Sequence, residues 1–160
     1  MKKSIYHSEL MLNMNERLFN NALEGVTDAQ ATERISGHNN PLIWVATHTA
    51  WARYNMLAML GKPAANPFDG KFENFKAYDP NDTYPTLDVV KKEWANASHL
   101  LKEALATVTE EHLAADCPLK SPIGDFSFGG TIAFLAQHES YDLGQMGLLK
   151  KYHTKEAMKY

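Results

Sequence analysis

Between Leu87 and Val108 the residues Leu87, Val90, Trp94, Ala97, Leu101, Ala104, Leu105 and Val108 recur at intervals of three and four. An α-helix gathers such positions into one stripe, whereas the two-residue period of a strand would scatter them over both faces. The segment therefore commits the chain to a long amphipathic helix over about 87–107, with Thr86 as its N-cap. A helix apolar along one side must bury that side against other elements. The remaining sequence offers further helices for the purpose. Ile5, Leu12, Leu18, Phe19 and Leu23, with Met11 and Met14, fall mostly on one side of a first helix from about Ser4 to Leu23. A second is predicted over about 41–60, with Asn40 as N-cap, Pro41 as its first residue and Gly61 as the stop after Leu60. The 87–107 helix is the third, and a fourth is predicted over about 130–151. No alternating segment between turn signals reads as a sheet, so the fold class is all-α.

The segments between the helices differ in kind. Residues 61–85 are rich in proline and glycine and hold no sustained helical period. Extended at about 3.3 Å per residue, they reach well beyond the roughly 30 Å of a 20-residue helix, far enough to cross the whole assembly. Phe68, Phe72, Phe75, Tyr78 and Tyr84 give this crossover apolar surface with which to pack, and long ordered connections of this kind often carry function. The plainer reading is that these rings merely hold the crossover down. A short turn is expected at Thr109 (TEEHLAA), then an irregular stretch in which Pro118, Pro122, Gly124 and Gly129 oppose regular helix. His153 to Tyr160 reads as a loosely docked extension.

At 160 residues and 44% hydrophobic composition, the chain suits one domain, 1–160, with a sizeable core. A formal charge of −3 gives no electrostatic reason to bind nucleic acid or an anionic lipid surface. No apolar run approaches the roughly 18 residues of a membrane span, and Lys2 and Lys3 are not followed by the apolar stretch of a signal peptide. Cys117 is the only cysteine, which rules out an intrachain disulfide and a multi-cysteine zinc site and fits a reducing, cytoplasmic setting.

The residues that could carry chemistry lie on the second and fourth helices. His138 and Asp142, four apart, project from one face. Leu135, His138, Asp142, Gln145, Met146 and Leu149 share an arc of roughly 100°, the width of a core-facing stripe. A buried imidazole and carboxylate are costly unless paired, hydrogen-bonded or bound to metal. His48 supplies a partner: it shares an arc with Val45, Met56 and Met59 on a helix apolar around much of its circumference. Two imidazoles and a carboxylate projecting between facing helices suit a divalent first-row ion such as zinc, nickel, iron or manganese, and three protein ligands leave a position for water. The same residues are also compatible with a buried His138–Asp142 pair and a core His48 satisfied by a carbonyl or water.

Other residues carry weaker expectations. Gln145, one turn beyond Asp142, could hydrogen-bond a ligand or cofactor, or be a plain core-edge amide. Tyr54 and Tyr141 could offer hydroxyls between the second and fourth helices or simply pack. Cys117 has no sequence-local activator and reads as inert. Lys150 and Lys151 are expected in the last turn of the fourth helix, offsetting its dipole.

Asn39-Asn40-Pro41-Leu42-Ile43-Trp44-Val45-Ala46-Thr47-His48, followed by Trp51-Ala52-Arg53-Tyr54, resembles the second-helix signature of DinB-like (DinB/YfiT-type) proteins, where an apolar helix opening at Asn-Pro carries one ligand histidine. His138-Glu139-Ser140-Tyr141-Asp142-Leu143-Gly144-Gln145-Met146-Gly147 is similar to their fourth-helix signature of a histidine, three residues, a second histidine, then Gly-Gln. The resemblance implies a four-helix bundle of up-down-down-up type with the long crossover between parallel second and third helices. It also implies a divalent metal site of three histidines, often a homodimer, and in some relatives a metal-activated thiol in transferase or isomerase chemistry. DNA binding is not implied. One departure matters: Asp142 stands where the pattern has its third histidine. A carboxylate also binds such ions, although its shorter reach shifts the ion toward the fourth helix or calls for a bridging water. The expectation is a metal-dependent enzyme, transferase or hydrolase, with His48, His138 and Asp142 as ligands and a small molecule or thiol as partner. The alternative is a non-catalytic bundle with a degenerate site, acting in small-molecule binding or dimerisation.

Overall fold

A computed structural model describes residues 4–160; Met1–Lys3 and the side chain of Phe75, both drawn into the sequence reading, lie outside the described residues. The secondary structure among them is helical: α1 (Tyr6–Leu23), α2 (Asp28–Thr32), α3 (Leu42–Met59), α4 (Leu87–Thr107), α5 (Glu110–Ala114) and α6 (Phe128–Thr154), with one 3-10 turn at Glu73–Phe75. An isolated antiparallel bridge, Asp116 with Ser127, pinches the α5–α6 connection.

Local chemistry sets most boundaries. Thr86, Thr109 and Ser127 each accept a hydrogen bond from the backbone N–H three residues on, capping α4, α5 and α6. α3 ends in a Schellman turn: Gly61, at φ +73°, donates to the Ala58 carbonyl at 3.1 Å, and Lys62 donates to that of Leu57 at 2.8 Å. Its start differs from the sequence expectation by one residue. Pro41 is extended (ψ 157°) and is itself the N-cap, its carbonyl accepting from Trp44 and Val45, so Asn40 has no capping role. α2 was not expected; five residues are too few for a hydrophobic period, although Thr27 and Gln30 form a capping box that marks its start.

The four long helices pack α1 on α6, α6 on α3, α3 on α4 and α4 on α1. Two apolar clusters fill the space they enclose. One gathers Leu18, Phe19, Leu42, Val45, Val90, Trp94, Leu143 and Met146; the other gathers Leu12, Leu57, Leu101, Leu105, Ile132 and Ala136. Between them, in each of the four long helices, lies a polar residue: Asn15 on α1, Arg53 on α3, Ser98 on α4, and Glu139 with Asp142 on α6, all buried. Arg53 is the hub of this layer. Its guanidinium pairs with Glu139 at 2.6 and 2.9 Å, donates to Ser98 Oγ at 2.6 Å and to the Leu12 carbonyl at 3.0 Å, and lies 3.7 Å over the Trp94 ring. Four hydrogen bonds, two of them to a carboxylate, are what permit so large a cation in the interior.

One sequence expectation at the C-terminus is corrected. Lys150 is not a solvated charge in the last turn; α6 runs on to Thr154, and Lys150 is buried, donating to the Asn21 carbonyl at 2.9 Å near the end of α1. It therefore serves the C-terminal dipole of α1, the neighbouring helix. His153 and Thr154 belong to α6, and the mostly exposed tail beyond them is docked through Met158, which packs on the apolar core, and the Lys159 carbonyl, which accepts from Asn21 at 2.9 Å.

Candidate metal centre

α3 has the sequence of a helix wrapped on nearly every side, with Arg53 as its only charged residue. His48 occupies the side that faces α6 and the crossover. Trp44 and Trp51, four residues before and three after, lie on the same face and sandwich its ring, with centroids at 5.1 Å (9° between planes) and 5.5 Å (30°). Phe72, carried in by the crossover, stands edge-on at 5.2 Å. From this clamp Nε2 points at α6, where His138 and Asp142 project together. His48 Nε2 is 3.4 Å from His138 Nε2 and 3.9 Å from Asp142 Oδ2, and His138 Nε2 is 3.7 Å from the same oxygen.

Those three separations can be tested against a metal. The nearest point equidistant from the three atoms, in their own plane, lies about 2.1 Å from each, matching the roughly 2.0–2.2 Å of zinc–imidazole and zinc–carboxylate bonds. The donor atoms lie within 4.8 Å of one another, so the group could hold a metal ion.

The electrostatics of the two imidazoles points the same way. Burial, helped by the neighbouring His138, pushes His48 down to about 4, and burial also lowers His138, opposed by Glu139. Both imidazoles are thus held as neutral lone-pair donors near neutral pH, the form that ligates metal. Burial raises Asp142 to about 7, the Glu139 carboxylate adding to the rise and Thr49 opposing it. Thr49 opposes it only weakly, because its one proton goes to the Val45 carbonyl at 2.8 Å and Asp142 Oδ2 is 3.5 Å away. Two neutral imidazoles at 3.7 and 3.9 Å make a poor ion pair for Asp142.

Gln145 lies beside the centre, its amide donating to Asp142 Oδ1 at 3.2 Å. That bond holds one carboxylate oxygen and leaves Oδ2 toward the imidazoles. Tyr54 turns the other way, to Glu93 and Asn96 of α4, at 2.8 and 2.7 Å. Tyr141 is largely exposed, its ring 6.5 Å from that of His138. Cys117 is a buried free thiol in the α5–α6 connection, its N–H bonded to the Phe126 carbonyl. The sequence reading missed Arg53 and Glu139, which flank the centre from within; the available signal was a lone charge on an otherwise uncharged helix, five residues after His48.

The sequence profile described as the DinB superfamily matches residues 11–146, which include all four long helices in whole or in large part. The chain belongs to the DinB superfamily. A solved structure shares the fold: a conserved protein from Enterococcus faecalis superimposes with a TM-score of 0.73 at 16% identity, covering 98% of this chain and 100% of that one. At that identity the likeness concerns the fold. A search among curated proteins finds no match.

Proposed function

We propose that this DinB-superfamily chain is a divalent-metal-dependent enzyme, with His48, His138 and Asp142 as ligands of zinc, nickel, iron or manganese. The observation that carries the proposal is the convergence of Nε2, Nε2 and Oδ2, from two helices far apart in sequence, around a point about 2.1 Å from each. A divalent ion there supplies Lewis acidity, activating water or a bound thiol in transfer or hydrolysis. The protein's part is to present donors. His48 and His138 are kept unprotonated by burial, Gln145 restrains Asp142 to one inward oxygen, and Arg53 neutralises Glu139 so that the adjacent carboxylate does not compete for the ion. His138, about one-third exposed, marks the side from which a small molecule enters.

The same reading takes 1–160 as a single four-helix-bundle domain of up-down-down-up type. Contacts of Asn15 with Ser140 and of Lys150 with Asn21 support parallel α1 and α6; Leu42 and Val45 sharing one apolar cluster with Val90 and Trp94, and Leu57 sharing the other with Leu101 and Leu105, support α3 and α4 side by side and parallel. A parallel α3–α4 pair accounts for the long crossover, which must return the chain to the starting end. A cytoplasmic homodimer completes the proposal, with exposed Tyr141 and Leu148 on α6 as its contact face; no helix among the described residues is long and apolar enough to cross a membrane.

Metal analysis tests the function. Purified protein should carry near-stoichiometric divalent metal that His48→Ala loses. Metal-free protein whose melting temperature ignores added zinc, nickel and manganese would favour a non-catalytic bundle with a degenerate site.

A further inference from the structure

A metal-ligating histidine ordinarily donates its second ring N–H to a carboxylate, carbonyl or water, which fixes both the tautomer and the ring's orientation. His48 lacks this support. Its Nδ1 is buried and has no hydrogen-bond partner among the described residues, and neither has the buried indole N–H of Trp44 beside it. What surrounds the imidazole is aromatic: Trp44 parallel on one side, Trp51 inclined on the other, and Phe72 with its edge against His48 and Trp44 and tilted on Trp51. Phe72 is itself 3% exposed. Its place is set by the crossover, where Glu73 accepts from the N–H groups of Gly70 and Phe72 at 2.8 and 3.2 Å, while Lys71 reaches the Thr83 carbonyl at 2.6 Å.

We propose that Trp44 and Phe72 are positioning residues for the centre: ring stacking, in place of a hydrogen bond to Nδ1, holds the His48 imidazole so that Nε2 faces His138 and Asp142. The proposal rests on the metal reading for its consequence and on the ring geometry for its substance. Flat stacking restrains rotation about the ring's bond to the helix because any turn of the imidazole drives its edge into an indole face. It leaves Nδ1 without an acceptor to strengthen the ring's basicity, so affinity here depends on orientation more than on charge donated through the ring. The crossover becomes part of the site, since a residue between α3 and α4 sets the aim of a ligand on α3.

Two measurements test the proposal separately. In metal-free protein, nuclear Overhauser cross-peaks from the His48 ring protons flanking Nε2 to the His138 ring should be strong in the wild type and in Trp44→Phe, which keeps a stacking ring. They should weaken or vanish in Trp44→Leu and Phe72→Leu. In zinc titrations against a competing chelator, the two leucine variants should bind about 10-fold to 100-fold more weakly than wild type, and Trp44→Phe within a few-fold of it. Leucine variants that keep the wild-type cross-peaks would overturn the positioning role whatever their zinc affinity. A wild type that binds no metal but shows the expected cross-peak pattern would overturn the metal reading alone. Should Trp44→Leu fail to fold, Phe72→Leu, on the crossover and outside the long helices, carries both measurements. A general loss of packing would lower the unfolding midpoint of Trp44→Phe as well, without separating it from Trp44→Leu in the cross-peaks.

Discussion

Replacing Arg53 by methionine tests the polar layer that divides the core. The side chain is 1% exposed and its partner Glu139 3% exposed, so the ion pair is sealed from solvent. Methionine keeps most of the apolar volume but removes both donors to the Glu139 oxygens, the donors to Ser98 and to the Leu12 carbonyl, and the cation stacked on Trp94. Ser98 is the least affected, because its hydroxyl already donates to the Trp94 carbonyl at 2.6 Å. The dominant loss is Glu139, left buried without its counter-charge. Stripping one partner from a buried pair costs about 3–5 kcal/mol, a large share of the roughly 5–15 kcal/mol that holds a domain together. With a urea m-value of about 2 kcal/mol/M, the midpoint should fall by roughly 1.5–2.5 M. Removing both charges, in Arg53→Met with Glu139→Leu, should recover most of the loss, since an apolar pair of similar volume is often as stable as the ion pair it replaces. The assay is equilibrium urea unfolding of the wild type, both single variants and the double variant, read as a double-mutant cycle. A cost below about 1 kcal/mol for Arg53→Met, or a double variant no better than the sum of the singles, would refute the argument that unpaired burial of Glu139 is what matters.

Three further predictions follow from the centre and its supports. In metal-free protein, Asp142 sits at about 7 against an ordinary 3.8, so the folded state keeps a proton that the unfolded chain has lost and Asp142 makes stability fall as pH rises through that window. His48, at about 4 against 6.5, does the reverse below pH 6.5; Asp142→Asn should therefore leave a steeper rise in stability from about pH 4 to 6.5 than wild type shows, and equal slopes would contradict the assignment. Gln145→Leu should weaken zinc binding by roughly tenfold or more in a chelator competition, because the Asp142 carboxylate loses the donor on Oδ1; unchanged affinity would remove Gln145 from the site. Gly61→Ala should cost about 1–2 kcal/mol by thermal unfolding, with Gly61→Asn milder, since φ is +73° there and the added carbon meets only His112 at an ordinary 3.9 Å.

Much of this was legible in the residues, and the parts that were not share a cause. The stripe from Leu87 to Leu105 and the stop at Gly61 are properties of one segment, and periodicity or backbone freedom reveals them directly. His48, His138 and Asp142 could be brought together because each sits on a face whose apolar neighbours say where it points. The bond between Arg53 and Glu139 depends on how α3 lies against α6, which no single helix encodes. Lys150 misled for the same reason: its sequence position suggested its own helix end, while packing gives it the end of α1. The clamp on His48 was half visible, in Trp44 and Trp51 at helical spacing, but Phe72 arrives from a segment whose path carries no period. Asp28–Thr32 was simply too short to read.

Because Arg53 gathers groups from all four long helices, it works as an alignment gauge as well as an attachment. Sliding any one helix by a turn, about 5.4 Å, would still bring leucine against leucine in the two apolar halves, which tolerate such exchange. The guanidinium tolerates none: shifted, it faces hydrocarbon, and Glu139 is stranded with it. Every mis-threaded arrangement is thereby penalised, and the one that remains is the alignment that sets His48 opposite His138.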